Sequence, residues 1–217
     1  VILAVKPQDF NILFAEIKND TRGKLIISIA AGTDTARIEK DFVYARVIRV
    51  MPNIALKIGE SVTCLSKGKS ARNEDLAFAT ELFNYLGVTR IIDESLMNAA
   101  TAISGSGPGY IFYFIETNFP GAVDIPRETK EDITKKLKSA AESIGFDTYD
   151  ADFLAANTVK SSLKLLKIGG VLPQELRNQV TSKGGTTEAA LKILASKGSW
   201  PEAARAALKR AEELTKG

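Results

Sequence analysis

Histidine is absent from this chain of 217 residues, and cysteine occurs once. Without an imidazole, no mechanism that uses histidine as a general base is available. A transition-metal site is not expected either, because His and Cys are the usual ligands. Cys64 stands alone in the strand-like run SVTCLS, so no internal disulfide can form, and we predict a buried, unreactive thiol. This cysteine usage fits a reducing compartment, and we predict a cytoplasmic location.

Long apolar runs and an excess of one charge are also missing. No apolar stretch approaches eighteen residues and no basic-then-apolar leader is visible, so we predict neither a membrane span nor a signal peptide. The formal net charge is only +3. Lys and Glu are interleaved in segments such as ETKEDITKKLK, which is typical of a solvated helix face, and we predict no nucleic-acid partner. Asp147, Asp150 and Asp152 lack calcium-loop spacing and indicate a helix start.

The pattern of apolar residues divides the chain into two halves. Strand-like and helical segments alternate in the first half, which predicts an α/β layer with a largely parallel sheet. These segments are VILAV, a helix over 10–18, LIISIAA, a helix over 35–41, ARVIRVMP, SVTCLS, a helix over 74–86 and VTRIID. Asn73 and Gly87 are predicted to cap the 74–86 helix. From Glu94 onward only helices are predicted, over 96–118, 127–144, 150–167, after Thr186, and over 202–215.

Two apolar features point beyond a single folded chain. The helical runs YIFYFIE and FLAANTVKSSLKLL carry more apolar residues than the interior of one small bundle needs, so we predict a homodimer, with higher oligomers left open. VILAV is wholly apolar, as expected of a strand that is covered on both faces, yet no segment precedes it to supply a neighbour. We therefore expect the native chain to begin upstream of Val1.

One stretch, TSKGGTTEAALKILASKG at 181–198, combines a polar, glycine-containing head with an amphipathic helix. Ala189, Ala190, Ile193 and Leu194 recur at helical spacing, and Gly198 suits the position after the helix. Two glycines let the backbone approach a ligand closely, and the first N–H groups of a helix are unpaired donors. The head thus predicts an anion cradle lined with hydroxyls. The alternative is an ordinary Gly-Gly loop in which Thr186 or Thr187 is the N-cap.

Five segments, VILAVKPQ, SIAAG, RVMPN, TAISGSGPGY and VTSKGGTTEAAL, resemble the pyrroline-5-carboxylate reductase family in order and spacing. The resemblance implies an NAD(P)H-dependent reductase that forms proline from a cyclic imine. It also implies an incomplete Rossmann-like NAD(P)-binding domain over 1–94 and an all-helical dimerisation domain over 95–217. The family's glycine-rich dinucleotide fingerprint is absent here. The GSGPG run at 105–109 lies in a helical context, and we interpret it as close helix packing. Residues 115–136 indicate an insertion or an extended helix pair.

The resemblance also implies substrate-binding residues. We hypothesise that N–H groups of Gly184, Gly185 and Thr186 bind the substrate carboxylate, with Ser182 in the same loop. Thr187 matches the family residue that hydrogen-bonds the ring nitrogen and is the predicted catalytic residue. Glu94 resembles a family carboxylate near the substrate, although it could simply cap the next helix, and Asn178 stands where relatives carry Asp. Lys183 replaces a common Pro, and we interpret it as a solvated loop residue.

Cofactor contacts are expected at the carboxyl ends of the parallel strands, where dinucleotides lie in such sheets. By resemblance, NADPH, or NADH, is lined by two strand ends, by the MPN segment and by one residue of the helical domain. These are Val5, Lys6, Pro7, Ile29, Ala30, Ala31, Asn53 and Gln179. The IALK segment after MPN departs from the family sequence, so the shape of that loop is left open. Two alternatives remain: a truncated or divergent non-catalytic dimeric homologue, and an imine reductase with a different small anionic substrate.

Overall fold

The computed structural model describes residues 1–5, 9–17 and 20–216, which form a five-stranded sheet and ten α-helices. The strands are β1 (Ile2–Leu3), β2 (Leu25–Ser28), β3 (Arg46–Met51), β4 (Ser61–Lys67) and β5 (Gly87–Ile91). The helices are α1 (Phe10–Ile17), α2 (Thr35–Asp41), α3 (Asn73–Asn84), α4 (Met97–Ala100), α5 (Gly107–Asn118), α6 (Arg127–Glu142), α7 (Thr148–Gly169), α8 (Pro173–Val180), α9 (Thr186–Ala195) and α10 (Trp200–Lys216). Two 3₁₀ turns, Ile54–Ile58 and Glu94–Leu96, and a π-helical turn, Thr101–Gly105, complete the description.

The sheet has the strand order β1-β2-β3-β4-β5. The pairs β1/β2, β2/β3 and β4/β5 are parallel, whereas β3/β4 is antiparallel. Since β1, β2 and β3 run the same way, their carboxyl ends meet at one edge of the sheet. The predicted fold class, a largely parallel sheet followed by an all-helical half, is confirmed.

Both faces of the sheet are covered, which explains its unbroken apolar strands. Successive residues of β2 point to opposite faces: Ile26 packs with α1 and α2, and Ile27 packs with α3. The helical half has its own core around Phe112, Leu137 and Leu154. That core also includes Cys64 of β4, so the sheet and the helices share one continuous packed region.

The predicted helix caps are wrong at three positions, and one helix was missed. Helix α3 begins at Asn73 itself, and Asp75 accepts the N–H of Arg72 at 2.9 Å, so Asn73 is not the cap. Gly87 opens β5 with φ +145° rather than closing α3. After α9 the left-handed residue is Lys197 (φ +63°), not Gly198. Helix α8, short and mostly polar, was not predicted.

Several other predictions are confirmed. The carboxylate of Asp147 accepts the N–H of Asp150 at 2.8 Å and caps α7, so this acidic group does mark a helix start. Residues 115–136 form the end of α5, a turn over 119–126 and the first part of α6, which is the helix-pair alternative.

Candidate active site

The loop before α9 is a tight turn that leads directly into the helix. Gly184 has φ +69°, and the N–H of Gly185 donates to the Ser182 carbonyl at 3.0 Å. Gly185 is the N-cap of α9, so the alternative in which Thr186 or Thr187 is the cap is wrong. The N–H groups of Thr186 and Thr187 have no acceptor among the described residues. They are unpaired donors at the positive end of a helix dipole.

The two threonine hydroxyls of this loop differ in their surroundings. The Thr186 hydroxyl is 2.9 Å from the Ser106 hydroxyl, which fixes its direction. Thr187 is only 4% exposed, and its hydroxyl has no hydrogen-bond partner in the described part of the chain. Thr187 therefore offers a free donor beside the unpaired N–H groups.

The GSGPG segment packs against the start of α9. A methyl group on Gly109 would lie 2.5 Å from Thr187 Cγ2 and 3.3 Å from Val180 Cγ2. Such contact distances require glycine, and they confirm the interpretation of this segment as close helix packing. Pro108 occupies the first turn of α5, where its missing N–H costs nothing. The segment therefore serves to seat Thr187.

Charged side chains bind both backbone polar groups of Gly184. Its N–H donates to Glu188 Oε2 at 3.1 Å, and its carbonyl accepts from Arg210 Nε at 2.7 Å. Lys192 Nζ lies 3.2 Å from the same Glu188 oxygen. The hydrogen bond from Lys192, with that from Gly184, lowers the pKa of Glu188 below its ordinary value. Of the three N–H groups predicted to bind a carboxylate, that of Gly184 is thus taken by Glu188 and that of Gly185 by the Ser182 carbonyl, and only that of Thr186 is free.

Glu94 lies in a buried network at the junction of the two halves. One carboxylate oxygen accepts from the N–H of Thr35 at 3.0 Å and from Arg49 Nη1 at 3.1 Å, and the other accepts from the Ser66 hydroxyl. The Arg49 side chain is only 1% exposed and also donates to Asn98 Oδ1 at 3.2 Å. Glu94 therefore pairs a buried charge and satisfies the start of α2, not the helix that follows it.

Apolar residues follow β1 and β2 at the edge of the sheet where the cofactor is predicted. Val5 and Ile29 are half-buried, and Ala30 and Ala31 follow the end of β2. Lys6 and Pro7 lie outside the described residues.

Asn53 follows β3 at the same edge of the sheet. Its Oδ1 accepts from the N–H groups of Ala55 and Val62 at 3.2 and 3.3 Å, whereas its buried Nδ2 has no partner. An unpaired buried amide donor at this edge fits a polar acceptor on a dinucleotide.

The last turn of α10 reaches the same edge. A methyl group on Gly32 would lie 3.1 Å from Leu214 Cβ and 3.2 Å from the Leu214 carbonyl oxygen. The adjacent Thr215 is hydrogen-bonded to Asn98, 3.3 Å from its Nδ2. Helix α10 therefore contacts the loop before α9 through Arg210 and the loop after β2 through Leu214.

The remaining predicted residues are exposed at the surface. Asn178 and Gln179 are exposed at the end of α8, and Ser182 is exposed in the loop. Gln179 Oε1 accepts from Lys57 Nζ at 2.8 Å, which connects α8 to the turn after Asn53. Lys183 is exposed, in keeping with a solvated loop residue. The roles of all these residues toward ligands stay predictions.

The described residues lack two further features, a membrane-spanning helix and a metal-binding cluster. They contain no helix with the length and apolarity that crossing a membrane requires. They also contain no cluster of three or more His, Cys, Asp and Glu side chains able to hold a metal ion. Cys64 is fully buried, and burial raises the pKa of its thiol to about 12, so the prediction of an unreactive thiol is confirmed.

Sequence reasoning missed Arg210, Glu188 and Leu214. Arg210 and Leu214 belong to a helix with charged residues on most of its turns, and no local pattern separates them from their neighbours. Glu188 carried a weak signal, because a Glu at the third position of a helix often turns back toward the residues before it.

Known proteins resemble this chain in sequence. The family model described as pyrroline-5-carboxylate reductase dimerisation matches residues 94–132 and 132–214. A pyrroline-5-carboxylate reductase of Methanosarcina acetivorans is 38% identical over 221 residues, which cover 100% of this chain and 75% of that protein. One from Arabidopsis thaliana is 35% identical and covers 99% of this chain and 72% of its own length.

Solved structures agree with the sequence relatives. A pyrroline-5-carboxylate reductase from Coxiella burnetii has a TM-score of 0.60 at 30% identity, covering 100% of this chain and 76% of its own. A pyrroline carboxylate reductase from Plasmodium falciparum, with NADP bound, has a TM-score of 0.59 at 26% identity, covering 99% and 80%. From its dimerisation segment and from relatives that match it end to end, this chain belongs to the pyrroline-5-carboxylate reductase family.

Proposed function

We propose that this protein is a pyrroline-5-carboxylate reductase, which reduces the C=N bond of a cyclic imino acid with NAD(P)H to give L-proline. The observation that carries the proposal is the start of α9, where unpaired N–H groups stand beside an unpaired hydroxyl. An anionic ring with a basic nitrogen needs these two kinds of donor. Family membership supplies the reaction, and the geometry of the loop supports the assignment of residues.

The N–H groups that precede and open α9 bind the substrate carboxylate in this proposal. Those of Thr186 and Thr187 are free, whereas the N–H of Gly184 is already paired with Glu188. A hydrogen bond to a charged group contributes about 1.5–3 kcal/mol. Two such bonds, strengthened by the helix dipole, are enough to orient a small anion.

The Thr187 hydroxyl donates a hydrogen bond to the ring nitrogen. The basicity of that nitrogen rises as the imine carbon accepts a hydride, so the bond strengthens in the transition state. Packing against Gly109 holds Thr187 in place, and its burial limits the access of water. The hydroxyl is therefore a preorganised donor.

The reduced nicotinamide supplies the hydride when it is bound. Val5, Lys6, Pro7, Ile29, Ala30 and Ala31 would line it at the strand ends, with Gln179 from α8. Asn53 would donate from its unpaired Nδ2, and this orphan donor is the structural observation that fits the cofactor. We infer NADPH as the preferred cofactor by resemblance.

The surrounding organisation follows from family membership. The protein forms a homodimer through its helical half, and we propose a boundary between two domains near Glu94, where the dimerisation match begins. A cytoplasmic location is proposed from the reduced, buried Cys64. Assembly beyond the dimer stays a prediction, to be measured by light scattering.

The assay that tests the function is steady-state oxidation of NADPH and NADH by the purified protein in the presence of pyrroline-5-carboxylate. Thr187→Val replaces the hydroxyl by a methyl group of nearly the same size. We expect kcat to fall about 10²-fold or more, the usual loss for one preorganised donor, with an unchanged KM for the cofactor.

Thr134→Val is the matched control. The Thr134 hydroxyl bonds only the Lys130 carbonyl within α6, at 2.8 Å, so its removal leaves turnover unchanged. A folded Thr187→Val protein that keeps the parent turnover would refute the catalytic role. Absence of imine-dependent cofactor oxidation in the parent protein would refute the function itself.

A further inference from the structure

We propose that Arg210 is a positioning residue for the substrate: its guanidinium holds the Gly184 carbonyl and thereby keeps the cradle before α9 open to a carboxylate. This inference rests on the proposed function, since it names the residue that shapes the same site. Neither the sequence pattern nor the family resemblance assigns this role.

The first step concerns the direction in which the Gly184 carbonyl points. Gly184 is left-handed, with φ +69°, and its carbonyl points to α10, where Arg210 Nε donates to it at 2.7 Å. A carbonyl turned the other way would place a partial negative charge among the N–H donors. Fixing it against a cation removes that charge from the path of an anion.

The second step concerns the rest of the guanidinium. Arg210 Nη1 is paired with Glu213 Oε2 at 2.9 Å, which leaves Nη2 without a partner in the described structure. Nη2 lies 3.6 Å from the place where a Cβ on Gly184 would stand. The side chain of Arg210 is 36% exposed, so the cation contributes its field to the cradle while water still reaches it.

The third step is the anchoring of Arg210 itself. Leu214, one turn further along α10, packs on Gly32, and Thr215 is hydrogen-bonded to Asn98 of α4. This end of α10 therefore cannot shift freely. A guanidinium on an anchored helix therefore holds the Gly184 carbonyl in one direction.

The test compares Arg210→Gln and Arg210→Lys with Arg205→Gln, a control on the same helix. Arg205 is exposed, and its positive charge helps to lower the pKa of Glu202. Binding of L-proline is measured by calorimetry, because its carboxylate probes the cradle without turnover. Steady-state kinetics then give the KM for pyrroline-5-carboxylate and for NADPH, and thermal unfolding reports stability.

We expect Arg210→Gln to raise both the Kd for proline and the KM for pyrroline-5-carboxylate about tenfold, at the lower end of the loss of a charged hydrogen bond. The KM for NADPH and the unfolding temperature stay as in the parent protein. Arg210→Lys, which keeps the charge without the planar donor group, recovers part of the loss. Arg205→Gln behaves as the parent does.

Two results would overturn the inference. One is an Arg210→Gln protein with unchanged proline binding and an unchanged KM for the imine. The other is a purely structural pattern, in which the unfolding temperature falls and the KM rises equally for imine and cofactor. The proposed function fails separately: a parent protein that binds proline through Arg210 but does not reduce the imine would sustain the inference and exclude the reductase. A parent protein that neither binds proline nor reduces the imine would overturn both.

Discussion

Gly109 in the GSGPG segment at 105–109 and Gly184 in the SKGG segment at 182–185 both lie near Thr187, but they are glycines for opposite reasons. Gly109 has an ordinary helical backbone, and its neighbours leave no space for a side chain. Gly184 has space around it, but its φ of +69° disfavours any residue with a Cβ. One glycine is required by packing and the other by backbone conformation. The comparison teaches that composition alone does not tell a binding loop from a packing contact.

Gly109→Ala is expected to have the largest effect of the changes that test this comparison. The new methyl group would lie 2.5 Å from Thr187 Cγ2, so Thr187 must move from its present position. We expect a loss of about 1–3 kcal/mol in the free energy of unfolding, as for other overpacked cores. Turnover should fall nearly as far as in Thr187→Val, because the hydroxyl is displaced. Chemical denaturation and steady-state kinetics measure the two effects.

Gly105→Ala provides the control within the same segment. A methyl group there would meet only Thr101 Cγ2, at 3.7 Å, which is an ordinary contact. A Gly109→Ala protein as active and as stable as Gly105→Ala would contradict the packing explanation.

Gly184→Ala should have a smaller effect with a different signature. The left-handed conformation costs a residue with a Cβ about 1–2 kcal/mol, but no atom is displaced by collision. The loop is therefore expected to relax away from φ +69°, which misdirects its N–H groups and raises the KM for pyrroline-5-carboxylate severalfold. The kcat at saturating imine should change less than in Gly109→Ala. A loss confined to kcat, with the KM unchanged, would show that the loop does not bind the carboxylate.

Lys197→Gly should have the smallest effect, and in the opposite direction. Lys197 has φ +63° after α9, where glycine is the favoured residue. Since Lys197 is exposed, removing its side chain costs little, and we expect a gain of up to about 1 kcal/mol in stability with unchanged kinetics. Thermal unfolding of this variant checks whether left-handed backbone alone, away from a ligand, carries a measurable cost. A variant less stable than the parent would contradict this.

Much of the fold was predictable from the sequence, because its apolar pattern follows the local periods. The predicted helix over 35–41 coincides with α2, and the alternating first half forms the predicted sheet. Helix α8 was missed since only Pro173 and Leu176 of its eight residues are buried, which leaves no apolar stripe to detect. The helix caps predicted at Asn73 and Gly198 were wrong because a residue type only favours a cap position, and packing decides which residue occupies it.

The candidate site was less predictable than the fold. The glycines and hydroxyls before α9 are contiguous, so their chemistry is visible in the sequence. Arg210 is 26 residues away from the carbonyl that it holds, on a helix with many other charges. Only the tertiary fold brings such a pair together, and a single sequence contains no signal for it.

The enclosure of Cys64 in β4 gives the protein one more property. With a pKa of about 12, its sulfur carries almost no negative charge at neutral pH, so thiol-directed reagents are expected to leave Cys64 unmodified in the folded protein. A second cysteine introduced at the exposed Lys183 would then be the sole target for a dye or spin label. The loop before α9 can therefore be labelled and observed by spectroscopy without replacing Cys64.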